Sequence, residues 1–186
     1  MIHLGYEKLW TLREVDRRKR AGAKWCSTSC RVMASRARKA TLIPAVMREA
    51  DRWVSWKPVR RGGRWTKMPV MVDGRAASSR DPGTWVSFAD VAHLERRGWV
   101  LGAGIGCIDL DDCFVGGVLA GWAREVVEEH RDTAVLVEVS PSGNGVHIFL
   151  PMEPGKGTVI RDGRNIEVYP PDSGRYICVT GKVLKV

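Results

Sequence analysis

The residues best suited to chemistry in this chain are two aspartates in the run Gly104-Ile-Gly-Cys-Ile-Asp-Leu-Asp-Asp112. On a strand, Ile108 and Leu110 point to one face while Asp109 and Asp111 point together to the other, about 6.6 Å apart along the chain. Carboxylates so placed repel, and each raises the other's pKa unless a cation lies between them. A divalent metal suits that position. Aspartate is a poor strand former, so D-x-D inside an apolar run goes against local preference, and such conflicts gather at functional sites. A turn or a strand-end cap is the alternative reading of D-x-D taken alone.

Two later segments repeat the arrangement of one ionisable residue between aliphatics. They are Val146-His147-Ile148, which follows the small-residue loop Ser140-Pro-Ser-Gly-Asn-Gly145, and Ile166-Glu167-Val168. Each strand would bury its apolar face and present a metal- or phosphate-competent group on the other. Metal ions held by such acids can activate a hydroxyl and neutralise a leaving phosphate. Histidine and glycine-loop amides can hold phosphate without adding negative charge.

The elements that must position these groups follow from pattern and punctuation. Residues 7–20 predict a helix with Leu9, Leu12 and Val15 on one side, and Pro44 opens a short helix reaching about Asp51. Trp53 to Trp56 reads as a strand, Arg61-Gly-Gly-Arg64 as a hairpin turn, and Thr66 to Val70 as its partner at a sheet edge, because Pro69 cannot donate to a ladder. The stretch from Ser78 to Trp85 is turn-rich. Ser87 with Asp90 makes a capping box for a helix from Phe88 to about Arg97, stopped by Gly98. Trp99 to Leu101 and Ile105 to Leu110 are expected to form a hairpin, and Val118 to His130 a helix. Thr133 to Val139, Val146 to Leu150, Asn165 to Tyr169 and Arg175 to Thr180 read as strands, with a loop at Pro154-Gly-Lys-Gly157. The expected fold is α+β, with a mostly antiparallel sheet and packed helices.

The 186 residues carry 30 Lys and Arg against 21 Asp and Glu, a net of +9. Residues 1–40 hold 11 of those cations, opposed only by Glu7, Glu14 and Asp16. The chain therefore divides into a basic N-terminal arm, 1–40, and a globular domain, 41–186. Charge so concentrated fits a polyanion such as nucleic acid better than a membrane, a solubilising tail being the alternative. The arm's contact candidates are Arg17, Arg18, Lys19, Arg20, Arg36, Arg38 and Lys39, joined by Arg64 and Lys67 on the hairpin. Most of the eight tryptophans are expected in the core; Trp65, beside Gly-Gly and two arginines, is expected exposed. Five cysteines, three in apolar strands, suit reduced thiols in a cytosol. Cys26 and Cys30 lack the second ligand pair of a zinc site. No apolar stretch is long enough to span a bilayer, and neither a signal peptide nor a transit peptide is expected at the N-terminus.

Taken in order, Trp53-Val-Ser-Trp56, Lys67-Met-Pro69, Asp81-Pro-Gly-Thr-Trp85, Gly104-Ile-Gly with Ile108-Asp-Leu-Asp111, Ser140-Pro-Ser-Gly-Asn-Gly-Val-His147, Glu167-Val-Tyr169 and Gly174-Arg-Tyr-Ile-Cys-Val-Thr-Gly181 resemble the archaeo-eukaryotic primase superfamily. Within it they are most similar to the primase-polymerase domain of phages and mobile elements. The resemblance runs from about Trp53 to Val183 and leaves the arm uncovered. It implies a primase-polymerase catalytic core and template-dependent nucleotidyl transfer with Mg²⁺ or Mn²⁺ in the replication of such an element, in a bacterial host's cytoplasm if phage-encoded.

By position, Asp109, Asp111 and Glu167 would hold metal, with Asp112 a spare acid beside them. His147 would contact the triphosphate, Ser142 and the Gly143-Asn144-Gly145 backbone would cradle phosphate, and Arg175 or Tyr176 would lie near nucleotide or sugar. Implied partners are single-stranded DNA template and primer, nucleoside triphosphates and a separate helicase. A degenerate module that binds nucleotide or single-stranded DNA without catalysis, and a metal-dependent nuclease, are the alternatives.

The charge distribution generates a first prediction. Deleting residues 1–40 should weaken single-stranded DNA binding mainly through electrostatics, because the logarithm of affinity falls with that of salt by about 0.7 per phosphate neutralised. The slope from a salt titration should flatten by several units. An unchanged slope would mean that the arm does not touch DNA.

Overall fold

The computed structural model of the chain describes residues 27–185. The helix expected over 7–20 lies outside them, as do Arg17, Arg18, Lys19, Arg20 and the side chains of Arg38 and Lys39. The described part is α+β, built on two antiparallel sheets with few helices.

A 14-residue helix, α1 (Thr28–Thr41), is followed by the single turn α2 (Ala45–Arg48), which Pro44 enters with φ of −58°. Then come β1 (Trp53–Arg61) and β2 (Arg64–Val70), an antiparallel pair turned by Gly62 and Gly63, both at positive φ. Positive φ costs glycine little, which is why this pair can make so tight a turn. After a 3-10 turn at Pro82–Thr84, the Ser87–Asp90 capping box opens α3 (Phe88–Val91). That helix is one turn long and does not run to Arg97. Arg97 instead begins β3 (Arg97–Val100), its buried guanidinium donating back to Ala92 O at 2.9 Å. Gly98 is no helix stop. It lies in β3 beneath the Tyr176 ring, where a Cβ would come 2.6 Å from the ring.

The expected hairpin between Trp99–Leu101 and Ile105–Leu110 is also absent. β3 belongs to a four-stranded sheet ordered β11 (Tyr176–Val179), β3, β1, β2, and β4 (Ile105–Leu110) to a five-stranded one ordered β7 (Leu136–Val139), β8 (Val146–Pro151), β4, β10 (Asn165–Tyr169), β9 (Thr158–Arg161). The chain swings between them through Ala103 and Gly104, at φ of 50° and 75°, leaving one isolated bridge between Gly102 and Ile105. Arg52 holds the bend by donating to the Val100 and Leu101 carbonyls at 2.9 and 2.7 Å.

Next is a small hairpin, β5 (Phe114–Val115) with β6 (Val118–Leu119), turned at Gly116 and Gly117. It takes the first residues of the helix expected from Val118, so α4 spans Gly121–Glu129. The remaining strands are β7 (Leu136–Val139), β8 (Val146–Pro151), β9 (Thr158–Arg161), β10 (Asn165–Tyr169) and β11 (Tyr176–Val179). β9 was not anticipated.

Alternation sorts the five-stranded sheet into two faces. Ile108, Leu110, Val146, Ile148 and Ile166 pack with Ala123 and Val127 of α4. On the other face Cys107, Leu136 and Phe149 join Trp53, Trp99 and Ile177 in a second cluster, and the polar residues continue along that face. Beyond β11 the tail turns back along β7, with Val139 N–H donating to Lys182 O and Leu184 N–H to Val137 O, each at 2.9 Å. No helix among the described residues is long and apolar enough to cross a membrane.

Gly106, on β4, has no room for a side chain. A Cβ there would lie 2.6 Å from Tyr169 O and 2.8 Å from Met152 Sδ. Gly106→Ala should therefore destabilise by about 1–3 kcal/mol through overpacking. Gly121→Ala, with open space around it at the start of α4, should be neutral or stabilising by up to about 1 kcal/mol. Denaturant melts of both variants check the contrast.

Candidate functional site

Strand register brings the predicted residues together. Asp109 on β4 faces His147 on β8 on one side and Glu167 on β10 on the other, as direct Cα partners. His147 in turn faces Glu138 on β7. Directly paired residues share a face, so Glu138, His147, Asp109 and Glu167 form one row across four strands.

Glu138 was missed in the sequence, although Val137-Glu138-Val139 repeats the aliphatic–ionisable–aliphatic signature of the other three. It is fully buried. Its carboxylate accepts from Thr180 N–H at 2.9 and 3.0 Å and from Gly181 N–H at 2.7 Å. It also faces His147 Nδ1 at 3.4 Å. His147 Nε2 is turned towards Asp109. The Nε2 to Asp109 Oδ1 distance is 3.7 Å, beyond a hydrogen bond.

Asp109 Oδ1 is thereby buried without a hydrogen-bond partner. Burial, opposed by His147, reinforced by Asp111 and Glu167, and opposed again by Lys67, pushes the Asp109 carboxyl up to about 6. An orphaned acceptor among acids fits a hard divalent cation, and Asp109 with the exposed Asp111 would be its nearest ligands. Among the described residues no three acidic, imidazole or thiol groups stand together at metal-ligand spacing. Glu167 lies in the row, but its carboxylate is taken by the Arg161 guanidinium and the Tyr169 hydroxyl.

The spare acid has its own task. Asp112, at φ of 49°, accepts from Asn144 Nδ2 at 2.8 Å, while Cys113 N–H donates to Asn144 O. Both bonds tie the small-residue loop to the end of β4. Within that loop Ser140 and Ser142 hydroxyls lie 2.9 Å apart, Gly143 N–H donates to Ser140 O, and Asn144 N–H to Ser142 Oγ. Two of the amides expected to cradle phosphate are thus used inside the turn. Gly145 must lack a side chain, since a Cβ would sit 2.7 Å from Leu110 O.

Arg175 reaches the row indirectly, its guanidinium 5.3 Å from the Tyr169 ring centre. Tyr176 donates to Lys67 O at 2.6 Å, and burial pushes its phenol up. Its role here is to pin β2. Lys67 is exposed, and its charge reaches both Asp109 and Cys178. Arg64 lies exposed at the hairpin tip, whereas Arg36 pairs with Glu95 at 3.3 Å. No family model matches the chain, and no curated protein matches it.

The Asp109 shift sets a pH dependence. A carboxyl whose folded pKa lies above its unfolded value of about 4 favours the fold most at low pH, and that contribution is lost as pH rises through 6. A rise from about 4 to about 6 corresponds to about 2–3 kcal/mol. In chelator, Asp109→Asn should melt above wild type at about pH 7 and close to it at about pH 4. Millimolar Mg²⁺ or Mn²⁺ should raise the wild-type Tm and leave the variant's unchanged. A wild type indifferent to both pH and metal would remove the cation site.

Proposed function

We propose that this chain is a metal-dependent nucleotidyltransferase, a template-directed DNA primase-polymerase serving replication of a phage or mobile element. One observation carries the reading: Asp109 is flanked in register by His147 and Glu167 on one face of one sheet, with Asp111 beside it. The order of segments noted in the sequence supports the same reading.

Asp109 and Asp111, with Glu167 if it is released from Arg161, would hold Mg²⁺ or Mn²⁺. Such ions, when bound, activate a 3′ hydroxyl and offset charge on the departing pyrophosphate. His147 is held by Glu138, so a proton on its Nε2 would be aimed at a phosphate oxygen beside the acids without a rotamer search. Ser142 borders the same end of β8, and Lys67 supplies a cation from the neighbouring sheet. Template and primer are bound by basic surface rather than by the acids.

A second reading, a non-catalytic module for nucleotide or single-stranded DNA, is favoured by the engagement of Glu167 with Arg161 and Tyr169. One assay separates the classes. Labelled nucleotides, Mg²⁺ or Mn²⁺, and single-stranded template with and without primer should yield extended product. Shortened template would mean a nuclease, and binding with neither would mean the non-catalytic module.

In the extension assay His147→Ala should raise the nucleotide concentration for half-maximal rate tenfold or more, since a charge-assisted contact contributes about 1.5–3 kcal/mol. DNA affinity should be nearly unchanged. A variant that loses template and keeps nucleotide affinity would overturn the assignment of His147.

A further inference from the structure

The hairpin of β1 and β2 leaves the body of its sheet. β3 pairs with β1 only at residues 53–55, so the ribbon beyond Trp56 has no third strand and is largely exposed on both faces out to Lys67. Unsupported two-stranded ribbons are marginal in water. This one is also charged against itself. Residues 53–72 contain Lys57, Arg60, Arg61, Arg64 and Lys67 and no acidic residue. None of the five joins an ion pair among the described residues. Arg61 stands directly opposite Arg64, a like-charge pairing that weakens a ladder. Trp65, 72% exposed, is the cross-strand partner of Arg60 and shares with it the face opposite Arg61 and Arg64.

At the base of the ribbon a groove of about 440 Å³ runs between β2 and residues 76–79, lined by Arg61, Thr66, Lys67 and Met68. Lys67 is the same cation whose charge reaches Asp109. A stackable ring near the tip, the Arg60 guanidinium on its face with Arg61 and Arg64 on the other, and a groove along β2 that holds Arg61 and Lys67 match the two things that single-stranded nucleic acid offers, phosphates and unstacked bases. An anionic membrane would use the tip but not the groove.

We propose that the β1–β2 hairpin is a stacking finger for single-stranded nucleic acid, with Trp65 against a base and Arg60, Arg61 and Arg64 on phosphates, and that the groove passes the strand towards Asp109. The direction of the path rests on the nucleotidyl-transfer reading, whereas the binding itself does not.

The test uses the full chain in chelator, without nucleotides, and a fluorescein-labelled oligothymidine. Trp65→Ala should weaken binding about fivefold or more, and Trp65→Phe should retain most of the affinity, as expected for stacking. The triple variant Arg60→Ala/Arg61→Ala/Arg64→Ala should flatten the salt slope by about two units. Light-induced crosslinks from an iododeoxyuridine oligomer should map to residues 60–67. Trp65 is exposed, so unchanged circular dichroism melts are expected and separate lost binding from lost folding. Wild-type affinity and slope in both variants, or crosslinks confined to other segments, would overturn the proposal. So would Trp65-dependent binding to phosphatidylserine vesicles with none to oligothymidine. Asp109→Asn/Asp111→Asn should abolish extension and keep the Trp65-dependent binding, so failure of the chemistry and failure of the finger are distinguishable.

Discussion

A carboxylate shut away from water is tolerable only if its lone pairs are claimed, and those of Glu138 are claimed from both sheets. Two backbone amides just beyond β11, at Thr180 and Gly181, bind it from one side, and His147 of β8 faces it from the other. Arg97, itself buried, is near enough for the two charges to be felt. Leaving such a buried acceptor without a hydrogen-bond partner costs about 1–3 kcal/mol. The same bonds hold the C-terminal tail along β7 and aim the imidazole of His147. Closure of the two sheets and orientation of the site are therefore one network.

That network explains the unusual state of Asp109. One face of the five-stranded sheet packs its aliphatic residues against α4, which anchors β4 from behind. On the opposite face the apolar packing of Cys107, Leu136 and Phe149 runs up to the edge of the polar row, so Asp109 is dehydrated by its own strand neighbours. His147 is turned towards it without closing a hydrogen bond. Lys67 acts from the other sheet at longer range. The site thus holds negative charge that the protein offsets only in part, the condition in which a bound cation gains most.

How legible the sequence was depended on whether a residue's partner was local. An ionisable residue between two aliphatics marked Asp109, His147 and Glu167 correctly as sharing a face, because period-two alternation survives any tertiary arrangement. Val137-Glu138-Val139 carries the same mark, but its β-branched surroundings read simply as a strand. The β3–β4 link shows the opposite limit. Three small residues between two apolar runs look like a hairpin loop, and what sends the runs to different sheets is Arg52, some fifty residues away, claiming the carbonyls of Val100 and Leu101. Gly98 was ambiguous for a similar reason. Glycine ends helices and also admits close packing, and only the Tyr176 ring above it decides between the two.

The row of Glu138, His147, Asp109 and Glu167 also constrains how such a protein can change over generations. Its members come from four strands, and the exposed connections at 153–156 and 162–164 carry none of them, so insertion there should leave the row in place. A single residue added within β4 or β8 is different. It would turn every later side chain of that strand to the opposite face, placing an acid or imidazole against α4 and an aliphatic in the site. Drift in the connections and near-invariance of strand length are the expected evolutionary signature of this architecture.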